Sequence, residues 1–249
     1  MRLLVGLDDR EGGKDALELA RVLSGREDAS ALVVTVLHTG PLPREYALLP
    51  EEECREAETL FEEAREKLAG VDVETRAYGG GSPAGILTTL AEREDFDAIV
   101  VGSPHRGAFG RVLVGSVATA LLNGAPTDVA VAPKGYAAPA HEPLRTIAVG
   151  YDGTPEAKVG LRRAEALAKR SNAQIRVLTV VEPAAAVPVM VPGAYKPAYP
   201  PKPDKVMIEA LESVDGSRGY GPLARVLLGS VSRPLVQKAP CPVLVAARA

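Results

Sequence analysis

The chain has 249 residues, and its 46% hydrophobic content is enough for one large domain or two small ones with packed cores. A formal net charge of −3, without a cluster of Lys or Arg, argues against a nucleic-acid partner. No window reaches the roughly 18 apolar residues of a membrane span. Cys54 and Cys241 lack zinc or redox spacing, and the chain opens without a signal sequence, so we expect a cytoplasmic protein.

Strand and helix periodicities alternate through the first half of the chain. We expect strands at 2–8, 31–37, 72–77, 97–102 and 128–132, and helices at 13–24, 51–69, 83–93 and 116–123. Most of these strands are too apolar for a sheet with one solvated face, so helices must cover both faces. The pattern predicts an α/β fold with a doubly wound, mainly parallel five-strand sheet.

The second half begins in the same way, with a strand at 145–151, a helix at 155–171 and a strand at 174–181. A Pro-rich segment, 183–204, then excludes regular helix or central strand. Only KVMIEALESVD separates it from Gly216, and ESVD is a poor replacement for the first-half strand DAIVVG. Three interpretations stay open: 206–211 forms the missing strand, the second half is incomplete, or residues are absent from the sequence.

Self-comparison shows that one unit occurs twice. The run LVGLD ending at Asp8 matches AVGYD ending at Asp152, at an offset of 144. The stretch GSPHRGAFGRVLVGS at 102–116 matches GSRGYGPLARVLLGS at 216–230, at an offset of only 114, so the second copy is 30 residues shorter. We expect domains at 1–135 and 144–249, joined by a linker at 136–143.

The two glycine-rich stretches are the best candidates for a ligand site. Glycines allow a tight turn and a close approach of the backbone to a ligand. A Gly-Ser pair that opens a helix presents free N–H groups to phosphate oxygens, and a carboxylate after the first strand could hold a ribose hydroxyl or an adenine edge. The alternative is that the glycines only form the turn that every strand-to-helix connection needs. No G-x-S-x-G, HExxH or Cys/His set occurs, so we expect no catalytic residues.

The strand-ending Asp together with Gly-x-x-Gly, nine residues and Gly-Ser resembles the universal stress protein family, and the resemblance spans both halves. It implies two tandem units of strand order 3-2-1-4-5 that bind ATP or ADP, with or without Mg²⁺, and act in stress signalling without fast catalysis. In the second half it implies nucleotide contacts at Asp152, Val180, Gly216, Ser217, Gly219, Gly229, Ser230 and Val231. In the first half it implies contacts at Asp8, Val36, Gly102, Gly115 and Ser116.

The two glycine-rich stretches are not equivalent. His105 stands where the first half should have its second glycine, so we expect the second half to hold the ligand. His105 and the shortened second half also favour a non-nucleotide, protein-interaction module, and a slow ATP hydrolase is a further alternative. If the halves pair as the family's homodimers do, strands 128–132 and 242–246 lie antiparallel in an internal pseudo-dimer, and further homodimerisation is left open.

Overall fold

The computed structural model describes residues 1–25, 28–37, 47–48, 55–103, 115–138, 141, 143–179, 212–216, 239 and 241–247. Within these residues, strands and helices alternate along most of the chain. The strands are β1 (Arg2–Gly6), β2 (Ser30–Leu37), β3 (Ala47–Leu48), β4 (Asp72–Gly79), β5 (Ala98–Gly102), β6 (Asp128–Ala132), β7 (Thr146–Gly150), β8 (Gln174–Leu178), β9 (Glu212–Gly216) and β10 (Val243–Ala246). The helices are α1 (Glu11–Ser24), α2 (Arg55–Lys67), α3 (Pro83–Arg93), α4 (Ser116–Leu122) and α5 (Pro155–Ser171).

The described strands form one sheet in the order β3-β4-β2-β1-β5-β6-β10-β9-β7-β8. In the first half, the five long strands β4, β2, β1, β5 and β6 pair with one another in parallel. They therefore confirm the predicted α/β fold and the strand order 3-2-1-4-5. The sequence did not indicate β3, a two-residue strand antiparallel to the end of β4.

Helices cover both faces of the first-half sheet, as the apolar strands require. Leu3 and Val5 of β1 pack in the core beneath α1 and α5, whereas Leu4 between them packs in the core beneath α3 and α4. The strand's period of two thus supplies a buried side chain to each layer. Both predicted ends of α3 are correct: the Ser82 side chain accepts the N–H of Gly85, and Pro83 occupies the first turn.

The second half supplies the strand row β8-β7-β9-β10, in which β9 holds the position of the fourth strand. The sequence made ESVD a poor replacement for DAIVVG, and the structure corrects that expectation. The backbone of Glu212–Gly216 pairs in parallel with β7 on one side and with β10 on the other. Main-chain pairing on both sides makes a strand of a segment whose composition does not favour one. The alternative strand at 206–211 and the Pro-rich segment lie outside the described residues.

The last strands of the two halves form the seam, by which we mean the antiparallel pairing of β6 with β10. Val129 lies opposite Val245, and Ala130 lies opposite Leu244. This confirms the predicted antiparallel pairing of the two last strands. Since β6 and β10 would otherwise be open edges, the seam turns two half-sheets into one.

Two buried carboxylates of α1 bind the predicted linker and the residue before it. The carboxylate of Asp15 accepts the backbone N–H groups of Gly135 at 2.8 Å and Ala137 at 2.7 Å. One turn later, the Glu18 carboxylate accepts the N–H of His141 at 2.8 Å. Burial raises the pKa of Asp15, although the hydrogen bonds oppose that rise. The linker is thereby bound along the helix that starts beside the pocket described next.

Candidate functional site

A pocket opens at the carboxyl edge of the first-half sheet, where β1 lies between β2 and β5. It encloses a cavity of about 220 Å³. The chain leaves β1 for α1 on one face, whereas α3 precedes β5 on the other, so this is the point where the winding of the sheet reverses. Ligands of doubly wound proteins bind at such a point. All five residues predicted for the first half line the pocket: Asp8, Val36, Gly102, Gly115 and Ser116.

Asp8 stands at the mouth of this pocket and also caps α1. One of its carboxylate oxygens, Oδ1, accepts the N–H of Arg10 at 3.2 Å and that of Gly13 at 3.1 Å. Arg10 is the N-cap residue of α1, and the N–H of Gly13, which also donates to the Arg10 carbonyl, lies in the first turn, so the carboxylate stabilises the helix start. The other oxygen, Oδ2, makes no hydrogen bond to a described residue and lies on an exposed side chain. Asp8 can therefore cap α1 and still accept a ligand hydroxyl.

The start of α1 lies unusually close to the end of β5, and glycines on both elements allow this. A Cβ atom on Gly102 would lie 1.9 Å from the carbonyl oxygen of Gly12. A Cβ atom on Gly12 would lie 2.8 Å from the carbonyl oxygen of Ser103, the residue after β5, and one on Gly13 would lie 2.3 Å from the carbonyl oxygen of Asp8 in the turn before α1. The sequence indicated no role for Gly12 or Gly13 in the site. Their function is close packing, and it places the first turn of α1 in the pocket wall.

Among the described residues, the rest of the lining combines apolar walls with one basic side chain. Val34 and Val36 of β2 line the cavity together with Leu87 and Pro83 of α3. The apolar set suits a flat base or another uncharged ring. Arg10, which sequence analysis missed, lines the same pocket at an exposed position. No motif could have indicated it, because its place follows only from the turn between β1 and α1.

The Gly-Ser pair lies where a helix begins, as predicted. Gly115 is the extended residue before α4, and Ser116 is the first residue of that helix. The carbonyl of Gly115 accepts the N–H of Thr119 at 2.8 Å, so the first turn is regular. His105 and the other residues between 104 and 114 lie outside the described residues.

The second half places two predicted residues at the corresponding edge. Asp152 follows β7, and Gly216 ends the neighbouring strand β9. Here the cap of α5 is Thr154, whose Oγ1 accepts the N–H of Ala157 and donates to the Asp152 carboxylate at 2.6 Å. The other second-half predictions lie outside the described residues: Val180, Ser217, Gly219, Gly229, Ser230 and Val231.

Comparison with known proteins identifies the family. The sequence model of the universal stress protein family matches residues 1–133, 143–211 and 214–247. The chain belongs to the universal stress protein family. A universal stress protein of Mycobacterium tuberculosis is 28% identical over 293 aligned positions, covering 98% of this chain and 99% of the relative. The alignment exceeds the 249 residues of the chain, so the relative contains segments that this family member lacks.

Two solved structures share the fold of this chain. A universal stress protein from Archaeoglobus fulgidus matches with a TM-score of 0.67 and 19% identity, covering 100% of this chain and 98% of that one. A protein of Pseudomonas aeruginosa described as functionally unknown matches with a TM-score of 0.61 and 14% identity, covering 98% and 92%. A universal stress protein solved in complex with cAMP matches with a TM-score of 0.42 and 22% identity, covering 54% of this chain and 98% of that one.

In the part of the chain that the structure describes, no helix is long and apolar enough to cross a membrane. The same residues contain no group of three or more His, Cys, Asp or Glu side chains that could hold a metal ion.

Proposed function

We propose that this universal stress protein binds an adenine nucleotide, ATP or ADP, in the first-half pocket and acts as a binding or signalling module without fast catalysis. The proposal rests on five residues, from four elements and their turns, that line a single cavity: Asp8, Val36, Gly102, Gly115 and Ser116. The resemblance of the sequence to the family implied all five. A doubly wound sheet binds its ligands at this edge.

The chemistry of the pocket supports a nucleotide in one orientation. The adenine would lie between Val36 and the apolar wall of α3. The Asp8 oxygen that does not cap α1 would accept a ribose hydroxyl, and the N–H groups at the start of α4, with the Ser116 hydroxyl, would bind phosphate oxygens. A cavity of about 220 Å³ is smaller than most pockets that enclose a whole ligand, so the phosphates would extend beyond it.

The choice of the first half departs from the preference that the glycine spacing gave to the second half. The preference rested on His105, which replaces a loop glycine in the first half. The proposal for the first half rests on the pocket that brings Asp8, Val36 and Gly102 together with the start of α4. The second-half residues stay predictions, and the experiment must separate the two.

Isothermal calorimetry with ATP and ADP on a matched pair of variants makes that separation. Val36→Trp fills the first-half pocket, and Val180→Trp makes the same change at the equivalent position of the second half. We expect Val36→Trp to weaken binding at least about tenfold, because a filled cavity excludes the base. Val180→Trp should bind as the unchanged protein does.

Three results would count against parts of this proposal. Loss of binding in Val180→Trp with full binding in Val36→Trp would place the site in the second half. An unchanged protein that gives no heat with either nucleotide at millimolar concentration would refute nucleotide binding. Phosphate release at many turnovers per minute would show an enzyme instead of a binding module.

A further inference from the structure

The seam between β6 and β10 is chemically asymmetric at its two ends. Asp128, at the start of β6, is only 3% exposed. Its Oδ1 accepts the N–H of Ala247 at 2.8 Å, and its Oδ2 lies 3.2 Å from Nε of Arg163 on α5. Both groups that satisfy this first-half carboxylate therefore come from the second half.

The internal repeat shows what stands at the symmetry-related end. Ala130 lies opposite Leu244, and these two residues are equivalent in the repeat, so they mark the pseudo-twofold axis. The same axis relates Asp128 to Pro242 and Ala247 to Pro133. Where one end of the seam has a carboxylate and an N–H group, the other has two prolines, which offer neither.

The helix partner differs in the same way. Arg163 of α5 corresponds in the repeat to Leu19 of α1, which is buried in the core. If the first halves of two copies paired through β6, Asp128 of each copy would lie against Pro133 and Leu19 of the other. This mismatch would therefore occur twice in each such seam. The carboxylate would then be buried without an N–H donor or a cation.

We propose that Asp128 makes the final-strand edge of the first half selective for a second half, and that it rejects pairing with the first half of another copy. The selection contrasts a hydrogen-bonded, ion-paired carboxylate in the correct seam with a buried, unsatisfied carboxylate in the wrong one. As a result, the first half of the chain pairs with a second half through β6 and β10, and it does not pair with the first half of another copy. The proposal does not depend on nucleotide binding.

Disulfide trapping during refolding tests which strands meet. The parent chain carries Ala130→Cys and Leu244→Cys, with Cys54→Ser and Cys241→Ala to remove the natural thiols. Residues directly opposite in an antiparallel pair have Cα atoms about 4.5–5.5 Å apart, which a disulfide can span. Correct seams give a link between positions 130 and 244, whereas paired first halves give a link between position 130 of two copies. Refolding from urea in a glutathione buffer, with mass-spectrometric peptide mapping, measures the ratio of the two links.

Asp128→Val is expected to lower the ratio of correct to incorrect links at least about tenfold, because it removes the buried carboxylate that penalises the incorrect seam. Arg163→Leu, which keeps Asp128 and its strand intact, should lower the ratio about threefold. Arg162→Leu is the matched control: it removes a neighbouring exposed arginine and should leave the ratio unchanged. An equal ratio in the parent chain and Asp128→Val would overturn the proposal. If Asp128→Val does not refold, an unchanged ratio in Arg163→Leu overturns it instead.

Discussion

Glu18 on α1 is a buried carboxylate with three partners, Arg21, Lys67 and the backbone of His141. Its side chain is fully buried and forms ion pairs with Arg21 and Lys67, each at 2.7 Å. Burial alone would raise its pKa, but the hydrogen bonds from Arg21, Lys67 and the His141 backbone outweigh burial and lower the pKa to about 2. Since Arg21 also donates to the carbonyl of His141 at 2.6 Å, this cluster binds α1, α2 and the linker together.

Replacing this carboxylate should therefore weaken the whole chain. We expect Glu18→Gln to lower the free energy of unfolding by about 3 kcal/mol at pH 7, measured by urea denaturation. A depressed pKa stabilises the folded state above the unfolded value of 4.5, and that stabilisation is lost as the pH falls from 4.5 towards 2. The difference between the two proteins should shrink over that range. Glu58→Gln, which breaks an exposed pair with Arg65, should cost less than about 1 kcal/mol. Equal losses from the two variants would contradict the role of Glu18.

Gly102 offers a second test at the residue scale. A methyl group there would meet the backbone of Gly12, which cannot move without shifting α1. Gly102→Ala should lower the free energy of unfolding by about 3 kcal/mol or more. In Gly124→Ala, the nearest atom would lie 3.8 Å from the new Cβ, so the change should stay within about 0.5 kcal/mol. Thermal denaturation of both variants measures these losses. If Gly102→Ala is as stable as the unchanged protein, α1 and β5 are not closely packed.

The sequence predicted which site residues the topology of the sheet brings together. It did not predict the hydrogen bonds between carboxylate side chains and the backbone. Asp8 and Gly102 were predictable as neighbours, because the carboxyl ends of adjacent parallel strands meet at one edge. The bonds from Asp15 and Glu18 to the linker were not, because their partners are main-chain N–H groups. Any residue except proline supplies such a donor, so the sequence carries no signal for the pairing.

At the scale of elements, local signals placed the helices and failed for β9. α5 begins and ends at its predicted residues, since the Thr154 cap, Pro155 and left-handed Asn172 mark its two ends. β9 contains Glu, Ser and Asp, which local propensity does not assign to a central strand. The position of β9 is determined by the open edges of β7 and β10. Those strands are distant in the sequence, so a local stretch around β9 carries no information about them.

A proline in β9 tests its central position. Val214 pairs with Val149 of β7 on one side and with Leu244 of β10 on the other. Val214→Pro should therefore lower the free energy of unfolding by about 2–4 kcal/mol, because the proline removes a backbone hydrogen bond between strands and its ring displaces the adjacent strand. Val177→Pro makes the same change in β8, where the side chain is 51% exposed and the described pairing lies only with β7. It should cost about half as much by urea denaturation, and the reverse order would place β9 at an edge.

For the whole molecule, Asp128 ties stability to pH through the seam. Burial raises the pKa of Asp128 from 3.8 to about 6, despite the N–H of Ala247 and the charge of Arg163. The folded state then binds a proton more tightly than the unfolded chain. Stability contributed by this group therefore falls as the pH rises from about 4 to about 6.

Asp128→Asn should abolish that part of the pH dependence. Relative to the variant, the unchanged protein should lose up to about 3 kcal/mol of unfolding free energy between pH 4 and pH 6. Comparing the two proteins by urea denaturation at each pH cancels the opposite contribution of Glu18. If the two proteins give parallel curves of unfolding free energy against pH, Asp128 has the same pKa in the folded and the unfolded chain.

Photolabelling with an azido derivative of ATP tests the claim that the first-half pocket holds an adenine nucleotide. After irradiation and digestion, mass spectrometry locates the modified peptide, and an excess of unmodified ATP establishes specific labelling. We predict label on peptides that contain Val36 or Ser116, removed by competing ATP. Competed label confined to peptides from 152–247, or no competed label at all, would contradict the claim.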